Sequence, residues 1–130
     1  MSFLAELEID EEIYNVLDCT YDFNQSIDKN NKPSSIARGG QIMLVIEARG
    51  KTNFLKWMTE YTHAKDGKIT FYKRDQMARL FDLSFTKAYC IDYLEYFDHK
   101  SEEPMQIKMT ISTKDMKADN ALFGNKWATA

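Results

Sequence analysis

The chain has 130 residues, with 17 basic and 20 acidic side chains and a formal net charge of −3. A chain of this length can bury a core without metal or disulfide support, and its near-balanced charge argues against a protein that binds nucleic acid by neutralising phosphates. Its apolar runs, such as residues 42–46, are too short to cross a membrane. We therefore expect one domain over residues 1–130 that inserts into no membrane and binds no nucleic acid.

The N-terminal region is predicted to contain two strands. Apolar residues alternate with polar ones through residues 3–27, on both sides of a turn at Asp10 and Glu11, and this is the periodicity of β-strands. The apolar residues that share one parity are Phe3, Ala5, Leu7 and Ile9 before the turn and Ile13, Leu17, Cys19, Tyr21, Phe23 and Ile27 after it.

A long polar loop follows, from Asp28 to Gly40. It is rich in residues that favour turns, and it exceeds the roughly two to five residues of an ordinary hairpin connection. Long loops in compact domains are often binding elements or lids. The alternative is a surface excursion without a role.

The next strand is predicted over residues 41–49, and the period then changes to that of a helix. Over residues 53–62 the apolar side chains fall on one side of a helix, with Thr52 as the expected N-cap. Asp66 and Gly67 are expected to form the turn before the following strand. We expect this one helix to cover or plug a sheet.

Three further strands are predicted at residues 68–74, 79–97 and 105–113. The middle one would span roughly 60 Å if it were straight, whereas a compact chain of this size has a radius of gyration of about 14 Å. It must therefore bend, as strands do in barrels or between packed sheets. The predicted fold is mainly β: a closed or nearly closed antiparallel β-barrel, made of two packed and bent sheets, with one α-helix at about residues 53–62. The segment from residue 114 onward is left unassigned.

The residues that commonly form catalytic or ligand sites do not occur in the required patterns. Gly67-Lys68 lacks the remaining glycines of a phosphate-binding loop, and Lys32 and Pro33 occupy positions at which a calcium loop needs an oxygen ligand and a glycine. His63 and His99 each lack a second ligand at zinc spacing. We expect no cofactor and no metal.

The two cysteines, Cys19 and Cys90, lie within predicted strands and are too far apart in sequence for a paired motif, so they are expected to be reduced and structural. No nucleophile motif is present, and we predict no catalytic residue and no enzyme. Only a carboxylate pair brought together by folding would leave a catalytic role open. The remaining alternatives are a subunit completed by its neighbours and a monomeric barrel that binds a small apolar ligand.

Five segments of the sequence form an ordered series: Tyr14–Cys19, Arg38–Gly40, Asp66–Asp75, Ala88–Cys90 and Ile107–Ser112. This series resembles the TssD branch of the Hcp proteins, the type VI secretion tube proteins of Bacteroidetes. The resemblance spans roughly residues 2–127 and depends mainly on the block from Gly67 to Asp75.

The resemblance implies a homohexameric ring that stacks into the inner tube of a contractile injection machine. It implies synthesis in the cytoplasm and export through that machine into the medium or a target cell, which agrees with the lack of a signal peptide pattern at residues 1–6. The implied partners are copies of the chain, the spike protein, the contractile sheath and effector cargo. A tail-tube subunit of a phage-like contractile particle is the alternative within this architecture.

Two groups of residues are candidate contact sites under this resemblance. The candidate ring-stacking loop comprises Asn30, Asn31, Lys32, Pro33, Ser34, Ser35, Arg38, Gly39 and Gly40. The candidate residues for helix packing or for an interface are Phe54, Trp57, Met58 and Tyr61.

Overall fold

The structure is a computed structural model that describes residues 3–23, 27–33, 39–48, 53–73, 78–100, 105–118 and 121–124. Within these residues it contains seven strands and one helix. In chain order they are β1 (Phe3–Ile9), β2 (Glu12–Tyr21), β3 (Gln41–Glu47), α1 (Phe54–Thr59), β4 (Lys65–Lys73), β5 (Ala78–Phe97), β6 (Met105–Ala118) and β7 (Ala121–Gly124).

The strands form one antiparallel sheet that closes on itself. The order along the sheet is β3-β2-β1-β4-β5-β6-β7, and an additional pairing between β3 and β6 joins its two sides. Six strands therefore make a closed barrel, and β7 pairs with the C-terminal end of β6 beside it. This confirms the predicted β-barrel with one helix.

The long strand β5 bends through irregular pairings. Its register against β4 shifts twice, and its register against β6 shifts between Cys90 and Asp92. At one of these bulges Lys87 has a left-handed φ of 50°, and its N–H donates to Asp66 Oδ1 at 2.9 Å. Bulges of this kind kink a strand and increase its twist. The prediction that this segment could not run straight is confirmed.

The core fills the inside of the barrel. Side chains from β1 to β6 point inward, and α1 adds Phe54 and Trp57, both buried. The Phe54 ring lies edge-on to Tyr14 with 5.1 Å between ring centroids, and the Trp57 indole N–H donates to the His63 carbonyl at 2.9 Å. The largest fully buried side chains are Tyr14, Phe85, Leu7, Ile9, Ile42, Leu44, Ile46, Ile69, Leu83, Met109, Ile111 and Thr113.

The sides of β2 differ from the parity grouping made from the sequence. Ile13 is 51% exposed and Leu17 is also exposed, whereas Tyr14 is buried. The turn at Asp10 and Glu11 has two residues, so Leu7 pairs with Tyr14 and the inward parity changes across it. A register shift at Leu17 changes the parity again, which returns Cys19 to the core side.

The helix and the segment after it also differ from the prediction. The helix ends at Thr59, so Tyr61 lies in the following turn. Its N-cap is Asn53, whose Oδ1 accepts from the Lys56 N–H at 3.0 Å; Thr52 lies outside the described residues. Asp66 and Gly67 are within β4 and form no turn, because this segment pairs with β1 on one side and with β5 on the other.

The C-terminal region extends the sheet further than the sequence indicated. β6 continues to Ala118, and β7 follows as a short strand. The ring of Phe123 in β7 packs against the ring of Phe23, with 4.9 Å between the ring centroids.

Among the described residues, α1 is far too short to traverse a lipid bilayer.

Replacing Gly67 by alanine is expected to lower the free energy of unfolding by about 1–3 kcal/mol. The added Cβ would lie 2.5 Å from Phe85 Cζ and 3.0 Å from the Glu8 carbonyl oxygen. Because Phe85 is fully buried, its displacement would disturb the packing of the core. Gly124→Ala is the matched control, because its Cβ would meet the end of the exposed Asp115 side chain. Urea denaturation measures both variants, and equal losses would contradict this packing argument.

Candidate assembly surfaces

The loop between β2 and β3 contains a small ordered hairpin, which we call the loop hairpin (Ile27–Pro33). Ile27 and Pro33 form a β-bridge, and the Asp28 N–H donates to the Lys32 carbonyl at 2.8 Å. Asn31 donates its N–H to the Asp28 carbonyl at 3.0 Å and adopts a left-handed φ of 64°, a conformation that asparagine tolerates well. Backbone hydrogen bonds therefore define the tip.

The Asp28 side chain reinforces this hairpin. Its Oδ1 accepts from the Asn30 N–H at 2.8 Å and from the Lys32 N–H at 3.0 Å, the pattern by which aspartate stabilises turns. The side chains from Lys29 to Pro33 are exposed. The tip thus presents two ammonium groups and two side-chain amides on a scaffold whose shape does not depend on a hydrophobic core.

The glycines at the end of the loop pack against the barrel. Gly39 lies so close to Phe23 that a Cβ would be 2.3 Å from its ring. The Gly40 carbonyl accepts from the Thr113 N–H at 2.7 Å and from its hydroxyl at 2.9 Å. Of the candidate stacking loop, Asn30, Asn31, Lys32 and Pro33 lie at the exposed tip and Gly39 and Gly40 at the barrel. Ser34, Ser35 and Arg38 lie outside the described residues.

The candidate helix residues fall into two groups. Phe54 and Trp57 are in the core, and Met58 packs partly buried against it. Tyr61 is 87% exposed in the turn after the helix. Within this group, Tyr61 is therefore the side chain most available to a second molecule.

The structure also exposes apolar side chains that the sequence analysis did not select. We call them the wall patch: Ile91, Leu94, Tyr96, Phe97 and Met105, all exposed. Leu94 and Tyr96 lie on one face of the β5–β6 pair, and Phe97 and Met105 lie on the other. The wall patch lies where β5 runs beyond its last pairing with β4, so over residues 89–97 the described strands flank β5 only on the β6 side. Unpaired strand edges and clustered apolar side chains are typical of surfaces that contact another chain. In the sequence, apolar residues at both odd and even positions of residues 89–97 were the feature that could have indicated this exposure.

Neither cysteine is in an environment that would activate its thiol. Burial is the main cause that raises the pKa of both thiols to about 11. The charge of Asp18 adds to it at Cys19, and the charge of Asp92 adds to it at Cys90, where a hydrogen bond to the Asp92 backbone acts in the opposite direction. Both cysteines are free. Thiols with such pKa values carry little thiolate at neutral pH and are poor nucleophiles. Within the described part of the chain, no three His, Cys, Asp or Glu residues are grouped to hold a metal ion.

Comparisons with known proteins identify one family. Residues 1–128 match the family described as hemolysin coregulated protein Hcp (TssD). Hcp1 from Flavobacterium johnsoniae is 39% identical, with a TM-score of 0.85 over 94% of this chain and 99% of that chain. A search of curated proteins gives no match.

Two more distant structures share the fold. Hcp1 from Salmonella typhimurium is 12% identical, with a TM-score of 0.73 over 95% of this chain and 92% of that one. A sheath/tube terminator of PVC, an extracellular contractile injection system, is 17% identical, with a TM-score of 0.52 over 88% of this chain and 92% of that one.

Trp57→Ala is expected to lower the free energy of unfolding by about 3–5 kcal/mol, because it empties a packed site in the core. Tyr61→Ala, at the exposed position, should change it by less than about 0.5 kcal/mol. Thermal and urea denaturation measure both. A folded Trp57→Ala variant with unchanged stability would contradict the core role, and would instead favour a contact between chains if its oligomer dissociated.

Asp28→Ala is expected to loosen the loop hairpin without unfolding the barrel. The substitution removes the acceptor of the Asn30 and Lys32 amides, so their hydrogen exchange measured by NMR should accelerate by roughly five- to tenfold. Asp28→Asn keeps a side-chain carbonyl oxygen and is the control. Exchange rates that are the same in all three proteins would show that the side chain does not hold the tip.

Proposed function

The chain belongs to the Hcp (TssD) family of type VI secretion tube proteins, and from this membership we propose that it forms homohexameric rings that stack into a tube. The observation that carries the proposal is the match to the family over nearly the whole chain, together with 39% identity to Hcp1 from Flavobacterium johnsoniae. Its role is structural and not enzymatic, with residues 1–130 acting as one domain.

Ring closure requires each copy to offer two different surfaces, one for each neighbour. The wall patch and the unpaired edge of β5 are suited to one of them. Leu94 is 54% exposed and Phe97 is 61% exposed, and burying such side chains against a neighbour removes apolar area from water. Tyr61, beside α1, is a second candidate contact within the ring.

Stacking requires a further contact between rings, and the loop hairpin is the candidate for it. Asn30, Asn31, Lys32 and Pro33 are exposed there on a preformed turn, so little conformational entropy is lost when it binds. In this proposal Ser34 and Ser35 continue the contact, while Arg38, Gly39 and Gly40 lead the chain back into β3.

The remaining parts of the proposal concern location and partners. The protein is made in the cytoplasm and released through the secretion machine into the extracellular space or a target cell. The tube contacts a spike protein at its tip and a contractile sheath outside, and it carries effectors in its lumen. Family membership supports these partners as a class.

A tail-tube subunit of a phage-like contractile particle is the second candidate. The fold similarity to the PVC sheath/tube terminator favours it, and the same ring would serve either machine. A monomeric carrier of a small ligand fits less well, since Tyr14, Phe85 and the other buried side chains occupy the barrel interior.

Light scattering on the purified protein tests the ring. We expect a mass six times that of the 15.2 kDa subunit, and electron microscopy should show annular particles and stacks. Shortening the loop over residues 29–36 is the companion variant, which should keep the ring mass and lose the stacks. A monomer at high concentration would refute the ring. The identity of the sheath protein that copurifies from the native host distinguishes a type VI secretion tube from a phage-like contractile particle.

A further inference from the structure

The two ends of the barrel carry different connections. β2 runs from the turn at Asp10 and Glu11 to Tyr21, and the loop hairpin lies between the end of β2 and the start of β3 at Gln41. Since β3 is antiparallel to β2, both strands meet this loop at the same end of the barrel. The Asp10–Glu11 turn is therefore at one end and the loop hairpin belongs to the other.

The loop hairpin is positively charged. Lys29 and Lys32 are exposed at its tip, and neither has an ion-pair partner among the residues that the structure describes. Asp28, the acid beside them, directs one carboxylate oxygen to two backbone N–H groups of the turn. The two ammonium groups are thus held within one turn and are available to an external anion or carboxylate.

The opposite end is negatively charged at the β1–β2 turn. Two of its four carboxylates are paired, Asp10 with Lys65 and Glu8 with Lys68. The other two, Glu11 and Glu12, have no ion-pair partner within the described parts of the chain. Glu11 has a φ of 64° and is exposed at the apex. Glu12 follows it as the first residue of β2, where it pairs with Ile9 and is half-buried. The two glutamates are therefore consecutive residues at this end of the barrel.

We propose that Lys29 and Lys32 of one copy bind Glu11 and Glu12 of a second copy of this chain in the next ring of the stack. The inference rests on the proposed tube and specifies its stacking contact. Unpaired lysines at one end and unpaired glutamates at the other complement each other only when copies stack head to tail. Like ends would place four ammonium groups or four carboxylates together, which is repulsive.

Such pairs are individually weak because water and salt screen exposed charges. A ring repeats the contact once for every copy, and contacts that form together strengthen one another. The contact should therefore fix the direction and register of stacking, and stacking should weaken as salt is raised. The ring itself, which depends on apolar burial, should respond much less to salt.

Charge reversal at each end tests the contact. The hairpin variant carries Lys29→Glu and Lys32→Glu, and the turn variant carries Glu11→Lys and Glu12→Lys. Each variant gives both ends the same sign, so rings of either one alone should need a concentration at least about tenfold higher than wild type for half-maximal stacking. Light scattering should report an unchanged ring mass, and sedimentation with electron microscopy should report the stacks.

Mixing the two variants is the decisive control. In an alternating stack, each reversed hairpin faces a reversed turn and each native hairpin faces a native turn, so the mixture should stack like wild type. The single chain with all four substitutions should do so as well, at the same net charge as wild type. The neutral variant with Lys29→Gln and Lys32→Gln should stack more weakly than wild type, more strongly than the hairpin variant, and with less dependence on salt.

The outcomes separate this contact from the proposed function. Intact rings whose stacking is unaffected by reversal, or that the mixture fails to restore, would overturn the contact and leave the tube proposal standing. A fall in ring mass after charge reversal would show that these charges act within the ring, and this would also overturn the stacking contact. Wild-type rings that do not stack even at low salt would overturn the contact as well. A wild-type protein that forms no ring would overturn the tube proposal, and this contact with it.

Discussion

The pairing of β3 with β6 is the contact on which the rest of the architecture depends. Without it the chain would be an open sheet with β3 at one edge; with it, six strands close into a barrel. A further hydrogen bond extends the β3–β6 pairing at each end. The Thr113 N–H donates to the Gly40 carbonyl at one end, and the Ala48 N–H donates to the Met105 carbonyl at the other. Closure removes strand edges from the barrel itself and encloses the apolar side chains of its strands.

Closure also determines where function can reside. The interior is filled with aromatic and aliphatic side chains, so recognition must use the outside and the ends of the barrel. The same bulges that let β5 follow the barrel carry its last residues past β4, where Leu94 and Tyr96 face outward beside an edge that no described strand covers. The bend that closes one molecule thus supplies the surface that we propose for the next one.

Much of this fold could be predicted from the sequence because strand alternation and length carry strong information. The bent β5 and the strand β6 follow from alternation, and the turn at Asp10 and Glu11 from its flanking patterns. The predicted turn at Asp66 and Gly67 was wrong for a tertiary reason: glycine is required there by the approach of Phe85, and aspartate by the amide of Lys87. Neither partner is near in sequence, so local rules favoured a turn.

For the candidate contact sites too, local sequence predicted the general type of structure but not the details that depend on tertiary contacts. The polar composition of residues 28–40 indicated a loop, but the internal hydrogen bonds of Asp28 that make its tip a defined hairpin are set by geometry. The stripe of Phe54, Trp57 and Tyr61 suggested one surface, and the early end of α1 divides it between core and solvent. The wall patch was missed because alternation cannot tell which apolar face loses its cover when a neighbouring strand ends.

The distribution of unpaired charge gives the barrel a direction that its fold alone does not impose. The β1–β2 turn and the β2–β3 loop lie at opposite ends of the barrel, and neither backbone connection prevents an end from meeting a copy of itself. Lys65 and Lys68 pair with Asp10 and Glu8 within the chain. Among the described residues, Glu11 and Glu12 are left without an ion-pair partner at the β1–β2 turn, and Lys29 and Lys32 at the loop hairpin. A subunit that presents unpaired charges of opposite sign at its two ends favours assemblies in which every copy points the same way.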